Sequence, residues 1–173
     1  MTAYRVVRSD RRTLCLEVTP ELEVLVRAPR RCSTAEIDRF VAAHEAWITQ
    51  KLALQQKRQT SPMRQTYTPE EEAMLRRMAE TYLPLRVAHY GQQMGVQPTG
   101  FRVTGAQKRF GSCSGRNSLC FSWRLMLYPM EAIDYVVVHE LAHIRHHDHS
   151  KAFWTLVEKT LPDYRERRAM LKA

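Results

Sequence analysis

Apolar and polar residues follow strand-like patterns in the first part of the chain and helical patterns in the rest. Residues 4 to 28 contain three β-prone runs separated by turn residues, and these runs predict three short antiparallel strands. From 34 to 58, apolar residues recur at helical spacing behind the capping-box sequence Ser33-Thr-Ala-Glu36, which predicts a helix. Residues 55 to 62 are polar, basic and aperiodic, as is typical of a linker.

The second part of the chain alternates between helical and strand patterns. Thr68 is followed by Pro69 and three acidic residues, which predicts a helix running toward Met94 with Pro84 as a kink or an early end. Further strands are predicted at 97–104 and 117–127, and further helices at 131–145, 151–160 and from 163 onward. The predicted fold class is therefore α+β. Residues 1–60 form an N-terminal part of strands and a helix, which we expect to pack on a catalytic part of residues 61–173.

Composition and charge narrow the class of protein. Apolar residues make up 44% and charged residues 26% of the chain, which is typical of a globular protein. The net charge of +9 favours polyanionic partners such as nucleic acid, nucleotides or acidic peptides, although the basic residues are spread along the chain and a solvated basic surface explains them equally well. The chain has no apolar run of membrane length and no signal-peptide pattern, so we expect a cytoplasmic protein without a membrane partner. The four cysteines form no CxxC pair, which argues against a zinc knuckle.

The segment from His139 to His143 has the spacing HExxH within a strongly apolar stretch. Residues four apart lie one turn apart on the same face of a helix, so both imidazoles reach one tetrahedral ion. Glu140 is poorly aimed to ligate but well placed to act as a general base toward metal-activated water. The pattern predicts a catalytic zinc site, with a pair of hydrogen-bonded core histidines as the alternative.

A catalytic zinc ion needs a third protein ligand, and the residues after the motif supply several candidates. His146 would lie about 10 Å further along a continuing helix, out of reach of the same ion, and His147 would point elsewhere. His149 precedes Ser150, a good N-cap for the next helix, so a chain reversal there would return its imidazole to the metal. His149 is therefore the favoured third ligand, and Glu158 is the alternative.

Three segments together resemble the YgjP-like metallopeptidase family, which is related to the minimal zincins of the SprT/Spartan and WLM groups. They are the HExxH motif, His149-Ser-Lys-Ala-Phe153-Trp and Leu161-Pro-Asp-Tyr164. The resemblance implies a minimal zincin-like domain in which a small antiparallel sheet packs on the HExxH helix. It also selects His149 as the third ligand, because the family places a Phe four residues after that histidine. Phe110-Gly-Ser-Cys113 resembles a Trp-Gly-Ser-Cys motif of the family, with Phe in place of Trp.

Other residues suggest secondary roles. Residues 117–127 are either an edge strand that pairs with an extended peptide or an interior strand. Lys108, Arg109 and Arg124 are candidates for binding an anionic substrate or stabilising an oxyanion, against the simpler interpretation of exposed basic residues. Asp134 or Asp148 would orient a ligand histidine, with helix capping as the alternative for Asp148.

The leading function hypothesis is a zinc-dependent metallopeptidase acting on peptides or proteins, with Zn²⁺ on His139, His143 and His149 and with Glu140 as the base. Two alternatives stay open at this point. One is a metal-dependent hydrolase of nucleotides or other phosphate compounds, and the other is a non-enzymatic zinc protein that binds nucleic acid.

Overall fold

The computed structural model describes residues 2–172, and the chain forms two compact units, Met1–Ser61 and Pro62–Ala173. The strands are β1 (Arg5–Ser9), β2 (Cys15–Val18), β3 (Val24–Pro29), β4 (Gly100–Thr104), β5 (Gly111–Cys113) and β6 (Ser118–Ser122). The α-helices are α1 (Thr34–Ala43), α2 (Glu45–Thr60), α3 (Pro69–Met94), α4 (Met130–Ala142), α5 (Lys151–Thr160) and α6 (Tyr164–Met170). The predicted α+β class is confirmed. Within residues 2–172, none of these helices is both long enough and apolar enough to cross a lipid bilayer.

The first unit contains a three-stranded sheet in the order β1-β3-β2. β3 is its central strand because Val24, Leu25, Val26 and Ala28 are all buried, as in strands covered on both faces. β2 pairs with β3 in the predicted antiparallel direction, but β1 pairs with β3 in parallel. The expectation of three antiparallel strands is wrong for β1, because the last strand of the segment inserts between the first two.

The single helix predicted over 34–58 is interrupted at His44. The backbone N–H of His44 bonds to the carbonyl of Val41 at 3.0 Å, while its ring Nδ1 lies 2.7 Å from the carbonyl oxygen of Phe40. The side chain therefore takes the carbonyl that the backbone N–H would use in a continuous α-helix. Ile37, Val41 and Ile48, on either side of this break, are buried in the core of the unit.

In the second unit, α3 begins and ends as its capping residues predict. Thr68 and Glu71 form a capping box with Pro69 in the first turn, and Gly95 ends the helix in the left-handed conformation at φ 62°. Pro84 lies inside this 26-residue helix, which continues to Met94 instead of ending early.

The sheet of the second unit has the order β4-β6-β5, with β6 parallel to β4 and antiparallel to β5. The sheet is therefore mixed, where an antiparallel one was expected. The prediction of 117–127 as a single strand, and as a candidate edge strand, is wrong. β6 is the central strand and ends at Ser122, whose hydroxyl accepts from the backbone N–H of Arg124 and starts a 3-10 helix. The edge strands are β4 and β5.

Helix α4 is buried along almost its whole length. Ala132 to Val138 are each 8% exposed or less, and Leu141 and Ala142 are fully buried. α4 packs against α3, α5, α6 and β5, so the HExxH motif lies at the centre of its unit.

Candidate metal centre

Helix α4 positions the first two histidines of the motif on one face. The ring centroids of His139 and His143 lie 4.9 Å apart and the rings are nearly perpendicular. The helix ends at Ala142, three residues earlier than predicted, and His143 is its C-cap in a helical conformation with φ −65°. His143 therefore stays on the same face as His139, although it lies just beyond the end of the helix.

The turn after α4 fixes the ring of His143. Nδ1 of His143 lies 3.0 Å from the carbonyl oxygen of His146, and because a carbonyl only accepts, Nδ1 must carry the proton. In the neutral ring, Nε2 then keeps a free lone pair. Arg145 anchors the same turn to the end of α3 by donating to the carbonyl of Gly95 at 3.0 Å. The spacing argues against the His146 side chain as a metal ligand. Its backbone carbonyl nevertheless orients the ring of His143.

His149 reaches the pair because the chain reverses immediately before α5. Ser150 is the N-cap of α5, as predicted, and its hydroxyl accepts from the backbone N–H of Phe153 at 3.5 Å. Nε2 of His149 lies 3.2 Å from Nε2 of His139, and the ligand atoms of the three histidines lie within 4.8 Å of one another. Glu158, the alternative third ligand, is exposed and pairs with Arg165 at 3.8 Å.

The spacing and chemistry of these nitrogens suit a zinc ion. Two nitrogens bound to one tetrahedral zinc at roughly 2.0 to 2.1 Å lie about 3.3 Å apart, which is close to the 3.2 Å between His139 and His149. Three neutral imidazoles are a known donor set for a catalytic zinc that keeps its fourth position open. The residues present therefore fit the ion.

Phe153 forms the floor of this cluster. Its side chain is fully buried, and its ring centroid lies 5.0 Å from that of His139, 4.6 Å from His143 and 4.8 Å from His149. Contact with all three rings limits their rotation on the side away from solvent. Trp154 packs beside it and stacks on Tyr164 at 5.5 Å.

Burial keeps the central histidine neutral. Desolvation, together with the neighbouring His143, His149 and Arg168, lowers the pKa of His139 to about 3. Burial also lowers the pKa of His143. Only a deprotonated nitrogen binds a metal, so at neutral pH these rings are in the form that binds one.

Glu140 is only 7% exposed and faces β5. Burial raises the pKa of its carboxyl to about 7, against the opposing charge of Arg109. The strand leaves room for this side chain because residue 111 is a glycine: a Cβ there would lie 2.7 Å from Cγ and 2.9 Å from Oε1 of Glu140. A carboxyl with a pKa near neutrality is suited to exchanging protons with a reacting group.

A pocket of about 340 Å³ opens beside His139 and Glu140. Its walls include Phe110, which precedes β5, Gly111 at the start of β5, and Tyr135 from α4. The hydroxyl of Tyr135 lies 3.5 Å from Nδ1 of His139, at the limit of a hydrogen bond. The arrangement combines three convergent imidazoles, a buried carboxyl and a cleft large enough for part of a substrate.

Three other residues singled out by the sequence do not act on the cluster. Arg124 is 5% exposed, lies over the Trp123 ring at 4.3 Å and donates to the carbonyl of Gln65, so the expectation that it binds an anion is wrong. Asp134 pairs with Arg86, and Asp148 accepts from the backbone N–H of Ser150. Neither carboxylate hydrogen-bonds a ligand histidine, so they do not orient one.

Several residues around the cluster were not found from the sequence. Tyr135 lies four positions before His139 on the same helix face, and that spacing was a usable signal. Gly111 lies in the Phe110-Gly-Ser-Cys113 motif, but that motif does not indicate its contact with Glu140, and Arg168 carries no signal. Their relation to Glu140 and the pocket exists only after β5 and α6 have packed on α4.

The family model described as "YgjP-like, metallopeptidase domain" matches residues 12–76 and 69–173 of this chain. Among solved structures, the metallopeptidase zymogen abylysin of Pyrococcus abyssi is similar, at 22% sequence identity. The likeness covers 50% of this chain and 89% of that chain, with a TM-score of 0.46. No curated protein sequence shows a significant match.

Proposed function

The chain belongs to the YgjP-like metallopeptidase family and is a metal-dependent hydrolase, and on this premise we propose that it is a zinc peptidase. The ion would be held by His139, His143 and His149. Glu140 would serve as the general base. Peptides or proteins are the substrate class that the family supports.

One observation carries the proposal: three imidazoles with free nitrogen lone pairs meet at a point next to a buried carboxyl. The ligand atoms lie within 4.8 Å of one another, and Glu140 immediately follows the first ligand in the chain. Nε2 of His149 faces Nε2 of His139 at 3.2 Å, and two unprotonated nitrogens at this distance repel each other unless a proton or a metal ion lies between them. The donor set is all nitrogen, which suits zinc better than magnesium or calcium, since those ions prefer oxygen ligands.

The chain's own residues divide the chemistry between them. Bound zinc would act as a Lewis acid toward the substrate carbonyl and make water a better nucleophile near neutral pH. Glu140 would take the proton from the attacking water and return it to the leaving amine, as its raised pKa allows. The carbonyl of His146 and the ring of Phe153 hold the ligands in place.

Removing the metal tests the proposal directly. Treatment with a chelator should abolish cleavage of casein by the purified protein, and added Zn²⁺ should restore it. Phosphate release from nucleoside triphosphates, measured in parallel, is expected to stay at background. Chelator-sensitive phosphate release in the absence of any peptide cleavage would overturn the peptidase assignment.

His149→Ala should lower zinc affinity by at least about 100-fold, because it removes one of three direct ligands, and changes even to their outer-shell partners cost about 10- to 100-fold. The measurement is a competition titration against a chromophoric chelator. His147→Ala is the matched control, since His147 is exposed, two positions away and outside the cluster. Equal affinity in the two variants would remove His149 from the ligand set.

Gly111→Ala should displace the side chain of Glu140 and lower kcat by roughly tenfold or more, since misplacement by about 1 Å costs up to 10²-fold. The new Cβ would lie 2.7 Å from Cγ of Glu140, too close for an unchanged position. Gly115→Ala is the control because its Cβ would meet no heavy atom within 4 Å. Steady-state kinetics and zinc content are measured for both. Unchanged kcat in Gly111→Ala would show that the position of Glu140 does not limit turnover.

A further inference from the structure

The pocket beside His139 and Glu140 is lined by three cations from two separate segments. Arg109 precedes β5, and Arg168 and Lys172 come from α6 and the turn after it. Glu140 is the only carboxylate among the lining residues. The remaining walls are largely apolar, so the pocket has an apolar interior and an excess of positive charge.

These three cations are free to bind a ligand. In the part of the chain that the structure describes, 2–172, none of them forms an ion pair, and all three side chains are exposed. Two neighbours of Arg168 on α6 are paired: Arg165 with Glu158, and Arg167 with Asp163. The helix thus neutralises its other arginines and leaves the one that faces the pocket unpaired.

The ring of Trp154 supports the Arg168 side chain. The guanidinium carbon lies 5.6 Å from the Trp154 ring centroid, within the range of a cation–π contact. Trp154 in turn stacks on Tyr164, from the first turn of the same helix. Arg168 is therefore placed by an aromatic stack without being neutralised by a carboxylate.

The positive charge extends to the reacting groups. Arg109 and Arg168 line the same pocket as Glu140 and His139. A ligand carboxylate in the pocket would thus lie next to the bond that the centre attacks. Its aliphatic stem would contact the apolar walls formed by Tyr135 and Leu171.

We propose that this pocket makes the enzyme selective for peptides that carry a carboxylate next to the cleaved bond. The inference rests on the proposed peptidase function and adds a substrate preference to it. Arg168 and Arg109 are the specificity-determining residues, with Lys172 contributing. The carboxylate is either an Asp or Glu side chain or the C-terminus of a short peptide, because both present the same anion to the guanidinium groups.

The expected preference is moderate, because the cations are exposed and water screens them. Exposed ion pairs stabilise by about 1 kcal/mol or less, and two or three acting together correspond to roughly a tenfold ratio. The preference should weaken as salt approaches about 1 M, where the Debye length falls to about 3 Å. A purely steric preference would not respond to salt.

The test begins with a mixed peptide library, in which mass spectrometry identifies the bonds that are cut. Matched peptides are then made with Glu or Gln at each residue flanking a cut bond, and with a free or amidated C-terminus near it. The ratio of kcat/KM between acidic and neutral partners is measured for the wild type and for Arg168→Gln and Arg109→Gln. The Glu/Gln and acid/amide pairs separate the two sources of the carboxylate.

Arg102→Gln is the matched control, because Arg102 is exposed on β4, at the opposite edge of the sheet from β5, and its loss changes the net charge equally. We expect a ratio of about ten in the wild type and in the control, and a ratio near one or two in the pocket variants. A ratio near one in the wild type, or an undiminished ratio in both pocket variants, overturns the proposal.

A binding measurement keeps this inference separate from the peptidase proposal. Labelled peptides of each pair are titrated into zinc-loaded Glu140→Gln protein, and fluorescence anisotropy reports the dissociation constants. Tighter binding of the acidic partner, lost in Arg168→Gln combined with Glu140→Gln, supports the pocket even if no cleavable peptide is found. Equal binding of both partners refutes the proposed carboxylate selectivity of the pocket. Absence of cleavage alone refutes the proposed peptidase function.

Discussion

Glu140→Gln should retain zinc and lower kcat/KM for peptide cleavage by about 10²- to 10⁴-fold, the range that a positioned general base contributes. Glutamine has the same shape, so it fits the space beside Gly111 without a clash. Its amide cannot take a proton from the attacking water. The expected result is therefore a folded, metal-loaded and nearly inactive protein.

The matched control for this variant is Glu131→Gln, the same change in the first turn of the same helix. Glu131 is exposed and does not line the pocket, whereas Glu140 is 7% exposed and does. Zinc content, thermal unfolding and kcat/KM are measured for both variants. Glu140→Gln protein with full zinc and wild-type turnover would refute the assignment of Glu140 as the base.

Asp134→Ala should destabilise the second unit by about 3 kcal/mol, at the lower end of the range for breaking a buried ion pair. The carboxylate of Asp134 accepts from Arg86 at 2.7 and 2.9 Å and from the hydroxyl of Tyr90 at 2.9 Å, and lies 3.6 Å from Arg167. The bond to Asp134 raises the pKa of Arg86. Without the carboxylate, the guanidinium group of Arg86 loses its counter-charge, and Arg167 keeps only the half-exposed Asp163.

Asp163→Ala provides the comparison, because Asp163 also binds Arg167, at 2.8 Å, but its side chain is 46% exposed. An exposed pair of this kind contributes about 0 to 1 kcal/mol. Urea unfolding is followed by tryptophan fluorescence in a Trp47→Phe background, so that Trp123 and Trp154 report on residues 62–173 alone. Equal losses for the two aspartates would show that the network around Asp134 is not a buried one.

The local parts of the centre could be predicted from the sequence because they depend on short-range geometry. The spacing of His139 and His143 follows from the pitch of a helix, and Ser150 is recognisable as a cap. The position of His149 needs only a chain reversal between two helices. These features require no knowledge of distant residues.

The predictions that were wrong concern side chains whose partners are remote in sequence. Asp134 lies on α4 among the apolar residues around the motif, and its role depends on Arg86, 48 positions earlier. Arg124 has the charge of a substrate-binding residue, but it packs over the Tyr67 ring and donates to the carbonyl of Gln65, 59 positions earlier. Sequence spacing reports neither contact, because the first arises only when α3 packs on α4, and the second only when the 3-10 helix packs on the segment before α3.

The order of the strands in the sheet also could not be predicted from the pattern of apolar residues. Hydrophobic periodicity reports that β6 is buried, but not that it lies between β4 and β5. A central position and an edge position differ only in which neighbours form the hydrogen bonds. The identification of β4 and β5 as the edge strands needed the pairing itself.

The location of the third histidine and of Phe153 on one short segment couples metal retention to the docking of α5. His149 and Phe153 both leave the site if α5 detaches, so the ion can escape by local unfolding of one helix. Metal loading should therefore slow amide hydrogen exchange in residues 151–160. At zinc concentrations about 1,000 times the dissociation constant, binding stabilises the closed state by about 4 kcal/mol. The equilibrium constant for opening of the helix then falls by about a thousandfold. Exchange in this helix would then report zinc occupancy inside the intact protein.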